Sequence, residues 1–117
     1  CCLRPGLAGI SENIRVISII GRFLEHSRVY YFRNSKPAVY CASADLMERN
    51  LRNRLEIAFP LLDPALAQRV IEELEIMLAD DCQSWVLHSD GCYVLRQPQN
   101  PDAEHRAQSS LLARLAD

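Results

Sequence analysis

The apolar positions fall into short β-branched or aromatic runs and two stretches with helical spacing. Ile14 to Ile20 fits two patterns. Val16, Ile17, Ile20, Phe23 and Leu24 would line one helical face, while the β-branched Ile14, Val16, Ile17, Ile19 and Ile20 suit a buried strand. Ser27 to Arg33 and Ala38 to Ser43 are aromatic and β-branched, and Asn34-Ser35-Lys36-Pro37 between them predicts a hairpin. Asp45 to Arg54 is polar and without a clear period, which predicts an irregular loop with room for one helical turn. Leu55 to Leu61 reads as a strand buried on both faces.

Asp63-Pro64 is a helix start: an aspartate at the N-cap accepts backbone N–H bonds, and proline at the first helical position loses no needed donor. The helix should run to about Ala79, with Leu66, Val70, Leu74, Met77 and Leu78 as a core-facing stripe opposite Glu72, Glu73 and Glu75. Trp85 to Leu87 and Tyr93 to Leu95, joined through Ser89-Asp90-Gly91, predict a second hairpin. Gln97 to Pro101 reads as a linker, and a last helix over 102–115 offers Ala107, Leu111, Leu112 and Leu115 for packing. Ahead of all these, Cys1 to Arg4 reads as a truncated strand entering the turn-forming Pro5 to Gly9.

At 117 residues, 49% hydrophobic and 24% charged, the chain is one globular domain or part of one, and disordered and fibrous classes are excluded. No apolar run approaches the roughly 18 residues of a membrane helix, and no signal segment opens the chain. It begins at Cys1 rather than Met, so a fragment of a larger protein is expected. Five cysteines without a C-x-x-C pair argue against a disulfide framework or a zinc site and read as reduced cytosolic thiols, small buried hydrophobes.

Net charge of -2 conceals a polarity. Residues 1–54 hold nine basic side chains against four acids, a balance of +5, and the remainder stands at -7. Twelve of the thirteen basic residues are arginine, whose planar fork suits phosphate or carboxylate. A bound anion is one reading, and a solvated face is the other. Two groups carry candidate chemistry: His26-x-Arg28 before one predicted strand, and Arg49, Arg52 and Arg54 before the next. An imidazole can add to or protonate a transferring phosphoryl group, and guanidinium groups neutralise the charge spreading over its oxygens. The same histidine also suits a hydrogen-bonded structural role. Ser43-x-Asp45 could cap the following turn or orient His26 across the hairpin. His88 and His105 read as surface residues. The P-loop, H-E-x-x-H and G-x-S-x-G motifs are absent.

Five blocks resemble the last domain of bacterial polyphosphate kinase, in the family's order and spacing: Cys2-Leu3-Arg4-Pro5-Gly6, Ser11 to Val16, Arg22 to Arg28, Ser43 to Asn50 and Glu56 to Pro64. The likeness covers about residues 1–96 as a partial catalytic domain, with 97–117 as linker and C-terminal helix. It implies an α+β fold, a phospholipase D-like mixed β-sheet with flanking helices, and it settles Ile14 to Ile20 as a strand. The implied enzyme reversibly moves the terminal phosphate of ATP onto inorganic polyphosphate, with Mg2+, through a phosphohistidine outside this chain.

Residue by residue, the resemblance makes His26 the second active-site histidine, contacting the nucleotide phosphates, and Arg54 a phosphate-binding arginine, with Arg28 beside them. The Mg2+ ligands are implied to lie outside this chain, which alone should be inert. A cytoplasmic homo-oligomer, with peripheral membrane association at most and no nucleic acid partner, is implied. Leu46 stands where the family has Trp. His26-x-Arg28 also resembles the H-x-K-x4-D signature of phospholipase D enzymes, but Arg33 occupies the Asp position, which counts against a phosphodiesterase. A non-catalytic polyanion-binding or oligomerisation domain is the other alternative.

Overall fold

The computed structural model describes residues 3–116, in the order β1 (Ile17–Ile19), β2 (Val29–Tyr31), β3 (Val39–Ala42), α1 (Glu48–Asn53), β4 (Ala58–Pro60), α2 (Pro64–Ala79), β5 (Ser84–Leu87), β6 (Tyr93–Leu95), a 3-10 turn (Pro101–Ala103) and α3 (Ala107–Leu115). The class is α+β, with two three-stranded antiparallel sheets, β2-β3-β4 and β1-β5-β6. The chain divides into two compact units, Glu25–Leu74 and the segments flanking it, with α2 crossing the division. The expectations for Cys1 and Cys2 lie outside the described residues, and Leu3 and Arg4 carry no strand.

In the first unit the expected hairpin forms, with Val29 opposite Cys41 and Tyr31 opposite Val39. Val39, at the start of the central strand, is fully buried, and Phe32 meets Tyr40 edge to face. β4 joins β3 from the other side, Phe59 opposite Cys41. The expectation that Leu55 to Leu61 is buried on both faces is corrected: the strand spans only Ala58–Pro60, and Leu55, Ile57 and Phe59 are exposed. An edge strand has one ladder partner, and Pro60, lacking an N–H, suits that position. The polar segment before it is also more regular than expected, since Glu48–Asn53 is helical.

α2 begins where Asp63-Pro64 predicts, with the Asp63 carboxylate accepting the N–H of Ala65 at 2.7 Å and of Leu66 at 3.4 Å. Its stripe is a weaker core than expected: Val70, Leu74 and Met77 are half-buried, while Leu66 and Leu78 are exposed. Spacing puts these side chains on one face but cannot supply the layer that covers it.

In the second unit the second hairpin forms as read, with Trp85 opposite Leu95 and Leu87 opposite Tyr93, and β1 adds to β5 with Ile17 opposite Val86. Gly91 closes the hairpin turn at φ +91°, a conformation L side chains rarely adopt. The last helix is shorter than expected, starting at Ala107, because the Asn100 side chain accepts the Asp102 N–H to close a separate 3-10 turn and Glu104 to Arg106 run extended. Of its expected packing residues only Ala107 is buried; Leu111 is half-buried, and Leu112 and Leu115 are exposed.

Gln108, which the pattern gave no role, is buried and clasps Phe23, accepting from its N–H at 3.0 Å and donating to its carbonyl at 2.7 Å. A Cβ at Gly21 would meet this carboxamide, lying 3.0 Å from its Nε2 and closer to its other atoms. Gly21→Ala should therefore displace Gln108 and strip both bonds, lowering stability by about 2 kcal/mol in a urea titration. Adding Gln108→Ala should relieve the clash, so that the double variant loses less than the two single losses together. An unmoved midpoint for Gly21→Ala would show that the clasp yields freely.

Candidate functional site

The polar residues singled out from sequence gather within the first unit, where three chain segments meet at one end of the β2-β3-β4 sheet. Backbone pairing continues past the strand ends: the Ala42 N–H donates to the Arg28 carbonyl and the Ser43 N–H to the Ile57 carbonyl. That ladder carries the segment before β2, the loop after β3 and the approach to β4 to a common edge.

Arg28 is the hub of the first cluster. Its Nε donates to Asp45 Oδ1 at 2.7 Å, its Nη2 faces His26 Nε2 at 2.6 Å, and its Nη1 donates to the His26 carbonyl at 3.2 Å. Arg28 is half-buried, whereas His26 is exposed and open to a ligand. A second cluster surrounds Glu56. Its carboxylate accepts from the Ser43 hydroxyl and from Asn50 Nδ2 at 3.0 Å, and it pairs with Arg54 Nε at 3.7 Å. Ser43 also accepts the Ile57 N–H at 3.0 Å, and Asn50 is buried on α1. Glu56 is thus anchored at the base, while the Arg54 side chain stays 58% exposed.

The two clusters share a field. Its hydrogen bond to Arg28 holds the Asp45 carboxyl below the usual carboxylate range, helped by the nearby charges of Arg28 and Arg49. The same bond pushes Arg28 further above an already high value. Glu56 is lowered first by the Ser43 hydroxyl, then by Asn50 and by the charges of Arg54 and Arg28. Both carboxylates therefore stay ionised and hold their guanidinium partners in place.

His26 and Arg28 come together directly, and Arg54 joins through a different carboxylate. Of the trio Arg49, Arg52 and Arg54, Arg49 lies near Asp45 and Arg54 pairs with Glu56, while Arg52 pairs with Glu48 at 3.1 Å along the exposed face of α1. Neither Ser43 nor Asp45 caps the helix, whose N-cap is Met47 with no side-chain hydrogen bond. Asp45 instead reaches His26 through Arg28. The sequence reading missed Glu56 and Asn50; a lone acid between Arg54 and β4 was the available signal. His88 and His105 are exposed as read. Of the described cysteines, Cys92 is exposed rather than buried, and burial pushes the half-buried Cys82 thiol up to about 11, which keeps it protonated.

Among the described residues no three His, Cys, Asp or Glu side chains gather as a metal ligand set. A cleft of about 550 Å³ in the second unit includes Asp81, Arg96 and His105 in its walls. Its charged groups already serve the backbone: Arg96 donates to the Leu78 and Asp80 carbonyls, and Asp81 accepts the His105 N–H.

Residues 1–108 match the family model described as polyphosphate kinase C-terminal domain 2. A polyphosphate kinase of Thermosynechococcus vestitus is 55% identical over 97% of this chain and 16% of its own length. One of Xylella fastidiosa is 54% identical over 98% of this chain and 17% of its own. The crystal structure of polyphosphate kinase from Porphyromonas gingivalis superposes with a TM-score of 0.89 at 39% identity, over 99% of this chain and 18% of that one. The chain thus spans about one sixth of the length of the curated relatives it matches.

Proposed function

The chain belongs to the polyphosphate kinase family, and from that premise we propose that it supplies the part of such an enzyme that grips phosphate at the transferring group. The observation that carries this is the exposed His26 imidazole braced by Arg28, with the exposed Arg54 guanidinium anchored in the same unit. Phosphoryl transfer spreads negative charge over the equatorial oxygens, and fixed cationic donors stabilise that charge without rearranging. In this reading the terminal phosphate of ATP moves reversibly to inorganic polyphosphate by way of a phosphohistidine supplied by the rest of the polypeptide, where Mg2+ is also held. Here His26 contacts the nucleotide phosphates, and Arg54 and Arg28 neutralise them.

The same reading gives a cytoplasmic homo-oligomer in which residues 1–96 are the catalytic part and 97–117 a linker and helix. Among the described residues no helix is long and apolar enough to cross a membrane. The rival is a domain that merely holds polyanions. The separating experiment measures polyphosphate binding and ATP formation from ADP and polyphosphate side by side in the complete polypeptide. His26→Ala should remove most ATP formation while polyphosphate stays bound. ATP formation that persists in His26→Ala, with binding lost only in Arg54→Ala, would establish the rival.

A further inference from the structure

We infer that Asp45 is a positioning residue that, through Arg28, fixes His26 as the tautomer protonated on Nδ1, so that the imidazole meets phosphate as a neutral hydrogen-bond donor. A guanidinium has five N–H donors and no acceptor, so the His26 nitrogen facing Arg28 Nη2 at 2.6 Å must be the accepting one. A proton on Nε2, in the other neutral tautomer or in imidazolium, would set two donors against each other. The remaining proton sits on Nδ1 of an exposed ring, where it can point at a phosphate oxygen.

What holds Arg28 in this orientation is Asp45, bound to its Nε at 2.7 Å from across the hairpin. The third contact, Arg28 Nη1 to the His26 carbonyl at 3.2 Å, helps to fix the plane of the fork. Without Asp45 the guanidinium keeps its charge but loses its aim, and Nε2 is free to take the proton. The inference deepens the phosphate-gripping reading above and, for its catalytic consequence, rests on it. It assigns His26 charge stabilisation rather than proton transfer, since a neutral ring giving up Nδ1–H would become an anion.

The test has two readouts. The first is the 15N shift pattern of the histidine rings in the 117-residue chain at roughly pH 8, above ordinary histidine titration. Exposed His88 and His105 serve as internal references. His26 should show an unprotonated Nε2 and a protonated Nδ1. Asp45→Ala and Arg28→Met should each return it to the pattern of the two references, and Asp45→Glu should retain the wild-type pattern. A wild-type His26 indistinguishable from His88 and His105, or one unmoved in both variants, overturns the inference.

The second readout is turnover in the complete polypeptide. Asp45→Ala should lower kcat about 10-fold with little change in KM for ATP. His26→Asn, which keeps an N–H near the Nδ1 position, should recover at least about 10-fold over His26→Ala, which a proton-transfer role would not allow. No recovery in His26→Asn overturns the donor role. If the ring pattern responds as stated while His26→Ala turns over normally, the tautomer assignment stands and the phosphate-gripping reading fails.

Discussion

His26→Ala, introduced into the complete polypeptide, should lower kcat for phosphate transfer about 100-fold or more, and Arg54→Ala should lower it by a comparable factor. Removing one preorganised donor aimed at developing charge typically costs that much. Both side chains are exposed at one end of the β2-β3-β4 sheet, so the variants should fold as the parent does. Arg54→Lys should recover only part of the loss, because lysine restores the charge but not the planar fork that engages two oxygens. The measurement is steady-state ATP formation with circular dichroism as the folding control. Unchanged turnover in both alanine variants would refute the assignment of the site, whatever the fold.

Asp80→Ala should be the most destabilising of these substitutions. Asp80 is fully buried in the second unit, just beyond the end of α2. Its Oδ1 accepts the N–H groups of Cys82 at 3.1 Å and Gln83 at 2.7 Å, and its Oδ2 accepts that of Ala107 at 2.8 Å. One carboxylate thus shapes the turn into β5 and caps the first turn of α3, which has no cap of its own at Arg106. Truncation leaves three backbone donors without their acceptor, each worth on the order of 1 kcal/mol or more when buried, for a total of about 3 kcal/mol. In a domain of this size that corresponds to a Tm lower by roughly 10 °C. Asp80→Asn retains one carbonyl oxygen and should fall between. A Tm within a degree or two of the parent for Asp80→Ala would show that water replaces the carboxylate and that α3 does not depend on it.

Local chemistry was legible without coordinates wherever a hydrogen-bond pattern is decided by neighbours in the chain. The two hairpins, the start of α2 at Asp63-Pro64 and the clustering of basic residues before Leu55 all follow from spacing and turn residues. His26 and Arg28 stand out as candidates by their spacing before a strand, and Arg54 is singled out among its neighbouring arginines by the resemblance alone. Arg52 shows the limit of such a reading: its charge is identical to that of Arg54, but helical geometry gives it Glu48 four residues back as a partner.

Only the folded chain decided who pairs with whom across long separations. Asp45 meets Arg28 over 17 residues and Asp80 meets Ala107 over 27, and in each case the partner is chosen by ladder register or by the end of a helix, neither of which a local pattern encodes. Burial was decided in the same way. Leu66, Leu78 and Phe59 sit at strand or helix positions that periodicity marks as core, yet stay exposed, while Gln108 and Asp80, polar by any scale, are buried because the backbone gives their polar atoms partners. Hydrophobic spacing states which face a side chain takes; whether anything covers that face, and which polar group replaces water there, depends on segments far away in the chain.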